Sequence, residues 1–425
     1  MASRTCIALA LMLAAAGASG GILPTASLVK VSFESGALKV EYSVDKPAIV
    51  TLDVETNTTG TASGGEWVSI GSGNIRTVSG AGKRVAAGPH TIIWRARKDW
   101  PSHRLAPESC RAVVKAWPVS RPPDWMIVDL DATLTIEKAD RVTYYASTND
   151  FPYPFPESDL YRSRYIVMRF IPAKGVRWMM GGIDLGDVST HAKPHQTVLD
   201  HDYWMAPFEL TIAQVAYAGK GSAANKANFL PHCRVPYTTF RGTTSWPDAP
   251  TTGSHIGKLR GVSGLDFDLP SESEWEFAAR GGYGDTLFGD GSRMWGYTSE
   301  ASTNLSHYAS WKSGTTYWPE GGAKACVKGG QFRPNGYGLY DMSGNVIEFC
   351  LDWWQSDITA NHAGEIVTNG SFDGSVGSQS KVVRGGYYAS SLESCAPYYR
   401  TAYNANNYTD GTGVRVRCPI VLDQE

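Results

Sequence analysis

One cysteine near the end of the chain stands where a thiol could do chemistry. It is Cys395, in the stretch "KVVRGGYYASSLESCAPYYR" (residues 381–400), between Arg384 and Arg400. Such a cysteine can be a nucleophile, a soft-metal ligand, half of a disulfide or a small core residue. Flanking arginines lower a thiol pKa when they face it, but the commoner role of such a pair is to brace loops. The role of Cys395 decides whether this protein is an enzyme.

A second stretch, "DMSGNVIEF", has the residue types of an ion site. Asp341 and Glu348 are carboxylates seven residues apart, and Gly344 between them lets the chain turn so that carbonyls point inward. Calcium prefers carboxylate and carbonyl oxygens as ligands. The spacing alone also fits a turn with two solvated acids.

Short helices must position these motifs. "FELTIAQVAYAGK", "GSHIGKLRGVSG" and "LPSESEWEFAARGG" each combine an apolar face with a capping residue. The predicted caps are Thr211 with Gln214, Ser254, and Ser271 with Glu274. Gly281 is the expected end of the third helix. Beyond residue 282 the sequence predicts loops and short strands, so this half is an irregular α+β domain.

The N-terminal half has a different pattern. "ALKVEYSV" and "AIVTLDVET" alternate apolar and polar residues, and further strand-like runs follow between Gly, Ser and Asn. We expect an immunoglobulin-like or fibronectin type III-like β-sandwich over 25–120, with Trp94 as a core residue. Pro122 and Pro123 open a connector over 121–164, and the α+β domain covers 165–421.

Composition and charge limit the functional classes. The 425 residues carry a net charge of −2 with both signs scattered, which argues against a nucleic-acid partner. The N-terminal "MASRTCIALALMLAAAGASGG" has Arg4, an apolar run too short to span a bilayer, and the cleavage signal Ala16-Gly17-Ala18. A signal peptide over 1–18 therefore predicts export to a periplasm or the extracellular space. No other stretch predicts a membrane span.

Cleavage would leave six cysteines in an oxidising compartment, where an even number favours disulfides. We expect a bridge between Cys350 and Cys395, which would tie "EFCLDWW" to the tyrosine-rich segment. Pairing of Cys395 with Cys418 or Cys326, or a free thiol, remains open, because six cysteines allow fifteen connectivities.

Six blocks in order resemble the formylglycine-generating enzyme family, also called the sulfatase-modifying factor family. They are "RWMMGG", "KPHQTVLDHDYWMAPFELTIAQV", "FDLPSESEWEFAARGG", "RPNGYGLYDMSGNVIEFCLDWW", "KVVRGGYY" and "GVRVRC", and they span about residues 165–420. The resemblance implies an irregular α+β fold related to C-type lectins, with bound calcium. It also implies an enzyme that oxidises a sulfatase cysteine to formylglycine with oxygen and a copper ion held by two cysteines.

The resemblance places those two cysteines at positions 390 and 395. Cys395 is present, but Ser390 occupies the other position, and a hydroxyl is a poor ligand for Cu(I). Tyr387 stands where the family has a small serine, and Ile347 where it has a tryptophan. The copper pair implied by the resemblance is therefore incomplete in this chain.

The resemblance also implies the calcium ligands. For the first ion they are the side chains of Asp341 and Glu348 and the carbonyls of Gly344 and Val346. A weaker second site would use Asn304 and the Leu305 carbonyl. Two functions follow: an exported family member that resembles the sulfatase-maturing oxidases but has an incomplete copper pair, or a non-catalytic, calcium-stabilised binding or adhesion module. The expected partners are sulfatase polypeptides, or a carbohydrate or protein ligand.

The signal peptide gives a direct prediction. Exported protein is expected to begin at Ser19, because signal peptidase cuts after a small-x-small sequence. N-terminal sequencing of the exported material reads this position, and a chain that starts at Met1 contradicts the assignment.

Overall fold

A computed structural model describes residues 23–57, 65–103, 109–182, 192–282, 305–313, 316–317, 325–358, 367–368 and 379–420. Backbone contacts divide the chain into two units. Among the described residues, the N-terminal unit contains those of 23–127 and 142–158, and the C-terminal unit contains those of 128–141 and 159–420. The predicted connector thus contributes to both units. No helix in the described part is long and apolar enough to cross a membrane.

The N-terminal unit is built from antiparallel strands. They are β1 (Ala26–Glu34), β2 (Ala37–Val44), β3 (Ala48–Asn57), β4 (Trp67–Ser69), β5 (Val78–Ser79), β6 (Lys83–Val85), β7 (Gly88–Trp94), β8 (Cys110–Pro118) and β10 (Val142–Tyr145), with one helical turn, α1 (Ala96–Asp99). The residues of β9 (Trp125–Asp129) are divided between the two units. One sheet has the order β1-β2-β7-β5. In the other, β3 pairs with β4, β6 and β8.

Alternation of apolar and polar residues determines which face of each sheet is buried. In β2 every second residue is buried, because successive side chains of a strand point to opposite faces. Residues from both sheets, such as Val40 and Val50, form one hydrophobic cluster. The predicted core position of Trp94 is confirmed: its ring is fully buried, and its Nε1 donates to Asp99 Oδ2 at 3.0 Å.

The C-terminal unit contains short strands in several small sheets. They are β11 (Tyr165–Ile171), β12 (Arg177–Met180), β13 (His195–Val198), β14 (Tyr203–Met205), β15 (Lys312–Ser313), β16 (Thr316–Tyr317), β17 (Ile347–Trp353), β18 (Val367–Thr368), β19 (Ser380–Arg384), β20 (Arg400–Asn404), β21 (Thr412–Gly413) and β22 (Arg417–Pro419). The sheet with the order β20-β19-β17-β21 brings the two sequence motifs together, because β17 follows "DMSGN" and β19 precedes Gly385.

The helices of this unit are α2 (Ile212–Ala218), α3 (Ala223–Lys226), α4 (Tyr237–Phe240), α5 (His255–Ser263) and α6 (Glu272–Ala279). The predicted caps are confirmed. Capping boxes form at the starts of α2 and α6, and the Ser254 hydroxyl accepts from the Gly257 N–H at the start of α5. Gly281 follows the end of α6 with a φ of 64°. Trp275 of α6 packs in the main core with Met205, Met342 and Cys350.

Candidate functional site

The cysteine segment begins with two glycines whose backbone is in the left-handed region, which other residues rarely adopt. Gly385 and Gly386 have φ values of 88° and 69°. A Cβ on Gly386 would lie 2.6 Å from the Ser394 carbonyl oxygen and 3.0 Å from Cys395 Sγ. The glycine pair therefore lets the start of the segment lie directly against the 3₁₀ turn Glu393–Cys395.

Two buried arginines hold the ends of this segment. Arg384 forms an ion pair with Glu276 of α6, and its Nη1 donates to the carbonyls of Tyr398 and Tyr399 at 2.9 and 2.8 Å. Arg400 binds both carboxylate oxygens of Glu272 at 2.6 and 2.7 Å. The bracing role expected for these arginines is confirmed.

Cys395 is a core residue in this structure. Its side chain is fully buried with Leu305, Ala309 and Trp311. Burial raises the pKa of the Cys395 thiol well above its usual value, because the thiolate would lose its hydration. The cluster thus favours the neutral thiol, which is the weaker nucleophile and metal ligand.

Ser390 lies in a tight turn rather than beside an open thiol pair. Its hydroxyl accepts from the Tyr387 N–H at 3.0 Å, and its own N–H donates to the Tyr387 carbonyl at 2.8 Å. The Tyr387 ring covers Gly411, where a Cβ would come within 2.2 Å of the ring. The hydroxyl at position 390 is therefore already hydrogen-bonded to the local backbone.

The expected bridge between Cys350 and Cys395 is absent. Both thiols are free, as are the alternatives Cys326 and Cys418. Cys350 is enclosed in the main core with Trp275, whereas Cys395 belongs to the separate cluster around Trp311. Each thiol is fully buried among its own apolar neighbours, which keeps the two apart.

The predicted ion loop has unusual backbone geometry. Asp341, Gly344 and Asn345 have φ values of 56°, 76° and 57°. A Cβ on Gly344 would lie 2.1 Å from the Ser310 carbonyl oxygen, so this position requires glycine. Positive φ at two non-glycine residues costs free energy that the surrounding contacts must offset, and such positions are typical of functional loops.

Glu348, the expected carboxylate ligand, is instead the partner of a buried arginine. Arg415 Nη2 lies 2.9 Å from Glu348 Oε1, and Arg415 Nε lies 3.2 Å from each carboxylate oxygen. Trp275 Nε1 also donates to Glu348 Oε2 at 2.6 Å. The Glu348 charge is thus already balanced by a guanidinium.

Two other carboxylates near this loop each have one oxygen that accepts no hydrogen bond from the described residues. Asp341 Oδ2 accepts from the Gly330 N–H at 2.8 Å, and Glu209 Oε1 accepts from Asn345 Nδ2 at 2.9 Å. Asp341 Oδ1 and Glu209 Oε2 are buried and have no hydrogen-bond partner among the described residues. Orphaned buried oxygens of this kind fit a cation.

The pKa shifts of Glu209 and Asp341 also favour a bound cation. Burial and the nearby Asp341 raise the pKa of Glu209 well above its usual value, and burial raises the pKa of Asp341 to about 6. Two carboxylates that burial disfavours as anions gain most from a bound cation. No three His, Cys, Asp or Glu side chains converge on a metal position in the described part of the chain, so carbonyls would have to complete a site.

Sequence reasoning missed Glu209 and Arg415. Glu209 stands in the apolar run "MAPFELT", and Arg415 stands between two valines in "GVRVR". A charged residue within an apolar strand-like run signals a buried ion pair, but it does not name the partner. Of the weaker second site, Asn304 lies outside the described residues, and the Leu305 carbonyl accepts from the Tyr308 N–H at 2.9 Å.

Comparison with known proteins matches most of the C-terminal unit to one family model. The family model described as "Sulfatase-modifying factor enzyme 1-like domain" matches residues 173–418. The formylglycine-generating enzyme of Thermomonospora curvata is 33% identical over 237 residues, which cover 54% of this chain and 69% of that protein. The bovine enzyme of that name is 32% identical over 171 residues, 40% of each chain.

Other matches carry different names. A mouse protein named "Inactive C-alpha-formylglycine-generating enzyme 2" is 29% identical over 174 residues, 40% of this chain and 46% of that protein. Among solved structures, Treponema denticola variable protein 1 aligns with a TM-score of 0.42 and 21% identity, covering 63% of this chain and 98% of that one.

The Glu348–Arg415 pair predicts a large effect on stability. Glu348→Gln is expected to lower the free energy of unfolding of the C-terminal unit by about 3–5 kcal/mol, because it removes the carboxylate that pairs directly with the buried Arg415 guanidinium. Urea unfolding in EDTA measures this. Glu137→Gln, on an exposed acid of the same unit, is the control. Equal midpoints for the two variants would contradict the assignment.

Proposed function

The chain belongs to the sulfatase-modifying factor enzyme 1-like family, whose domain covers residues 173–418, and we propose that this member binds a polypeptide without oxidising it. The observation that carries the proposal is the state of the two positions at which the family resemblance puts copper thiolates. One position has the Ser390 hydroxyl, which accepts a hydrogen bond from the Tyr387 N–H. The other has the fully buried thiol of Cys395.

These residues do not fit a copper ion. Cu(I) is a soft ion that selects thiolates, and a hydroxyl supplies neither the softness nor the charge. The remaining thiol of Cys395 sits in an apolar cluster that raises its pKa, which disfavours the thiolate that would bind copper. No oxidative step can therefore be assigned to Ser390 and Cys395.

The side chain at position 387 supports the same proposal. Tyr387 covers Gly411 and meets the Tyr388 ring edge-to-face at 5.2 Å between centroids. A large, packed ring occupies space that the resemblance assigns to a serine. A cysteine-containing peptide would then meet aromatic surface at this place rather than a reactive centre.

The proposed ligand is a polypeptide segment of the sulfatase type. The resemblance puts a client peptide at this face, and two relatives of this chain are formylglycine-generating enzymes. Arg384 and Arg400 hold both ends of residues 385–399 without using the thiol. The shape of the segment can therefore persist while the chemistry is lost.

We also propose that the protein is exported and that its N-terminal unit is an immunoglobulin-like or fibronectin type III-like spacer. The N-terminal sequence pattern supports export, and the two antiparallel sheets that share one core support the spacer. Both would suit a module that presents its C-terminal domain outside the cytoplasm.

Calcium is proposed as a stabilising ion at the loop after Tyr340. Asp341 Oδ1 and Glu209 Oε2 are the open side-chain oxygens, and the carbonyls of Gly344 and Val346 are the proposed further ligands. A cation there would neutralise two buried carboxylates and hold the strained loop. Glu348 is not among the proposed ligands, because its carboxylate already forms an ion pair with Arg415.

The calcium proposal predicts a ligand-dependent melting temperature. Calcium at a hundredfold excess over its Kd is expected to stabilise the protein by roughly 2.7 kcal/mol relative to EDTA, because it binds only the folded state. Asp341→Asn should remove this difference, and Glu137→Gln should keep it. Identical melting of the wild type in calcium and in EDTA would refute the site.

The functional proposal predicts an absence of turnover. The full-length protein, incubated with Cu(I), oxygen and a sulfatase-motif peptide, is expected to leave the mass of the peptide cysteine unchanged, because the thiolate pair is incomplete. Mass spectrometry of the peptide is the measurement. Binding of the same peptide, followed by fluorescence anisotropy, should still be detected.

Two variants make this test decisive. Ser390→Cys restores the missing soft ligand, so conversion that appears only in this variant supports the proposal. Conversion by the wild type that disappears in Cys395→Ala would overturn it and establish an active oxidase. If the peptide does not bind, the proposal that the ligand is a polypeptide of the sulfatase type is contradicted.

A further inference from the structure

Two thiols from distant parts of the C-terminal unit meet in the structure. Cys233 Sγ lies 3.3 Å from Cys326 Sγ, although the residues are 93 positions apart. Cys326 is buried and Cys233 is partly exposed. From this geometry we propose that Cys233 and Cys326 form a redox site that closes to a disulfide when the protein meets a low-molecular-weight disulfide.

The two sulfur atoms are already in contact. A disulfide bond is about 2.05 Å long, so the 3.3 Å separation of Cys233 Sγ and Cys326 Sγ must shorten for the bond to form. The remaining described cysteines do not compete, because each is buried elsewhere: Cys110 in the N-terminal unit, Cys350 and Cys395 in their own clusters, and Cys418 with its thiol donating to the Pro419 carbonyl at 3.4 Å.

The surroundings make Cys233 the attacking sulfur. It is the more exposed thiol of the pair. The hydrogen bond with the Cys326 thiol, and then the exposed guanidinium of the adjacent Arg234, lower the pKa of Cys233 and favour its thiolate. The Cys233 thiolate attacks one sulfur of the small disulfide, and the other sulfur leaves as a thiolate. Cys326 then gives its proton to the released small thiolate and attacks Cys233 Sγ, which expels the second small thiolate. The two protein thiols lose two electrons, and the small disulfide gains them.

The bridge would join two backbone segments that support the functional region. The Arg234 N–H donates to the Thr412 carbonyl at 3.0 Å, and the Val327 N–H donates to Asn345 Oδ1 at 2.8 Å. Both sulfurs also belong to the cluster that contains Val346 and Tyr388. Oxidation would therefore tie the ion loop to the segment beside β21 and fix the base on which Tyr388 packs.

Peptide mapping of the full chain tests the site. After incubation with oxidised glutathione, alkylation and digestion without reductant, mass spectrometry is expected to find Cys233 linked to Cys326, with Cys350, Cys395 and Cys418 alkylated only after denaturation. Closing a loop of this length restricts the unfolded chain. We therefore expect added reductant to lower the melting temperature of the oxidised protein by roughly 5 °C.

Variants separate the pair from the other thiols. Cys233→Ser should lose both the linked peptide and the reductant effect, whereas Cys110→Ala in the N-terminal unit should keep both. The proposal is overturned if the oxidised wild type shows alkylated Cys233 and Cys326, or a persistent glutathione adduct on Cys233 without the link. Peptide mapping of the wild-type protein decides the test even if a variant fails to fold.

Discussion

Buried carboxylates that must be neutralised are the constraint on which the C-terminal unit depends. Glu272 and Glu276 of α6 are almost fully buried, and so is Glu348 of β17. Each is paired with an arginine from a later part of the chain: Arg400, Arg384 and Arg415. Removing one member of such a pair leaves an uncompensated charge in a low-dielectric interior, which is far costlier than losing a surface ion pair. These pairs therefore fix the sheet and both ends of the cysteine segment at once.

The same constraint explains how the fold can persist without its implied chemistry. The segment between Arg384 and Arg400 is held by ion pairs and carbonyl contacts that do not involve a thiol. A serine at position 390 leaves these contacts intact, and Cys395 becomes part of the core around Trp311. The contacts that hold this segment are thus separate from positions 390 and 395, at which the resemblance puts the copper ligands.

Local features were predictable from the sequence, and long-range pairings were not. Helix caps such as Ser271 with Glu274 lie three residues apart, and the burial of Trp94 follows from strand alternation, so both could be read from short windows. The structure does not pair Cys350 with Cys395, because each thiol lies in a different apolar cluster. Arg415 with Glu348, and Cys233 with Cys326, join residues 67 and 93 positions apart. No local pattern specifies such contacts.

The most direct test of the account is a competitive Cu(I) titration of the full chain against a chelator, with Cys395→Ala alongside. The central claim is that Ser390 and Cys395 do not form a copper site. Any Cu(I) held by Cys233 and Cys326 would be unaffected by this variant, so the comparison isolates Cys395. The account predicts identical binding curves for the two proteins. Tight binding of one Cu(I) by the wild type that Cys395→Ala abolishes would contradict it.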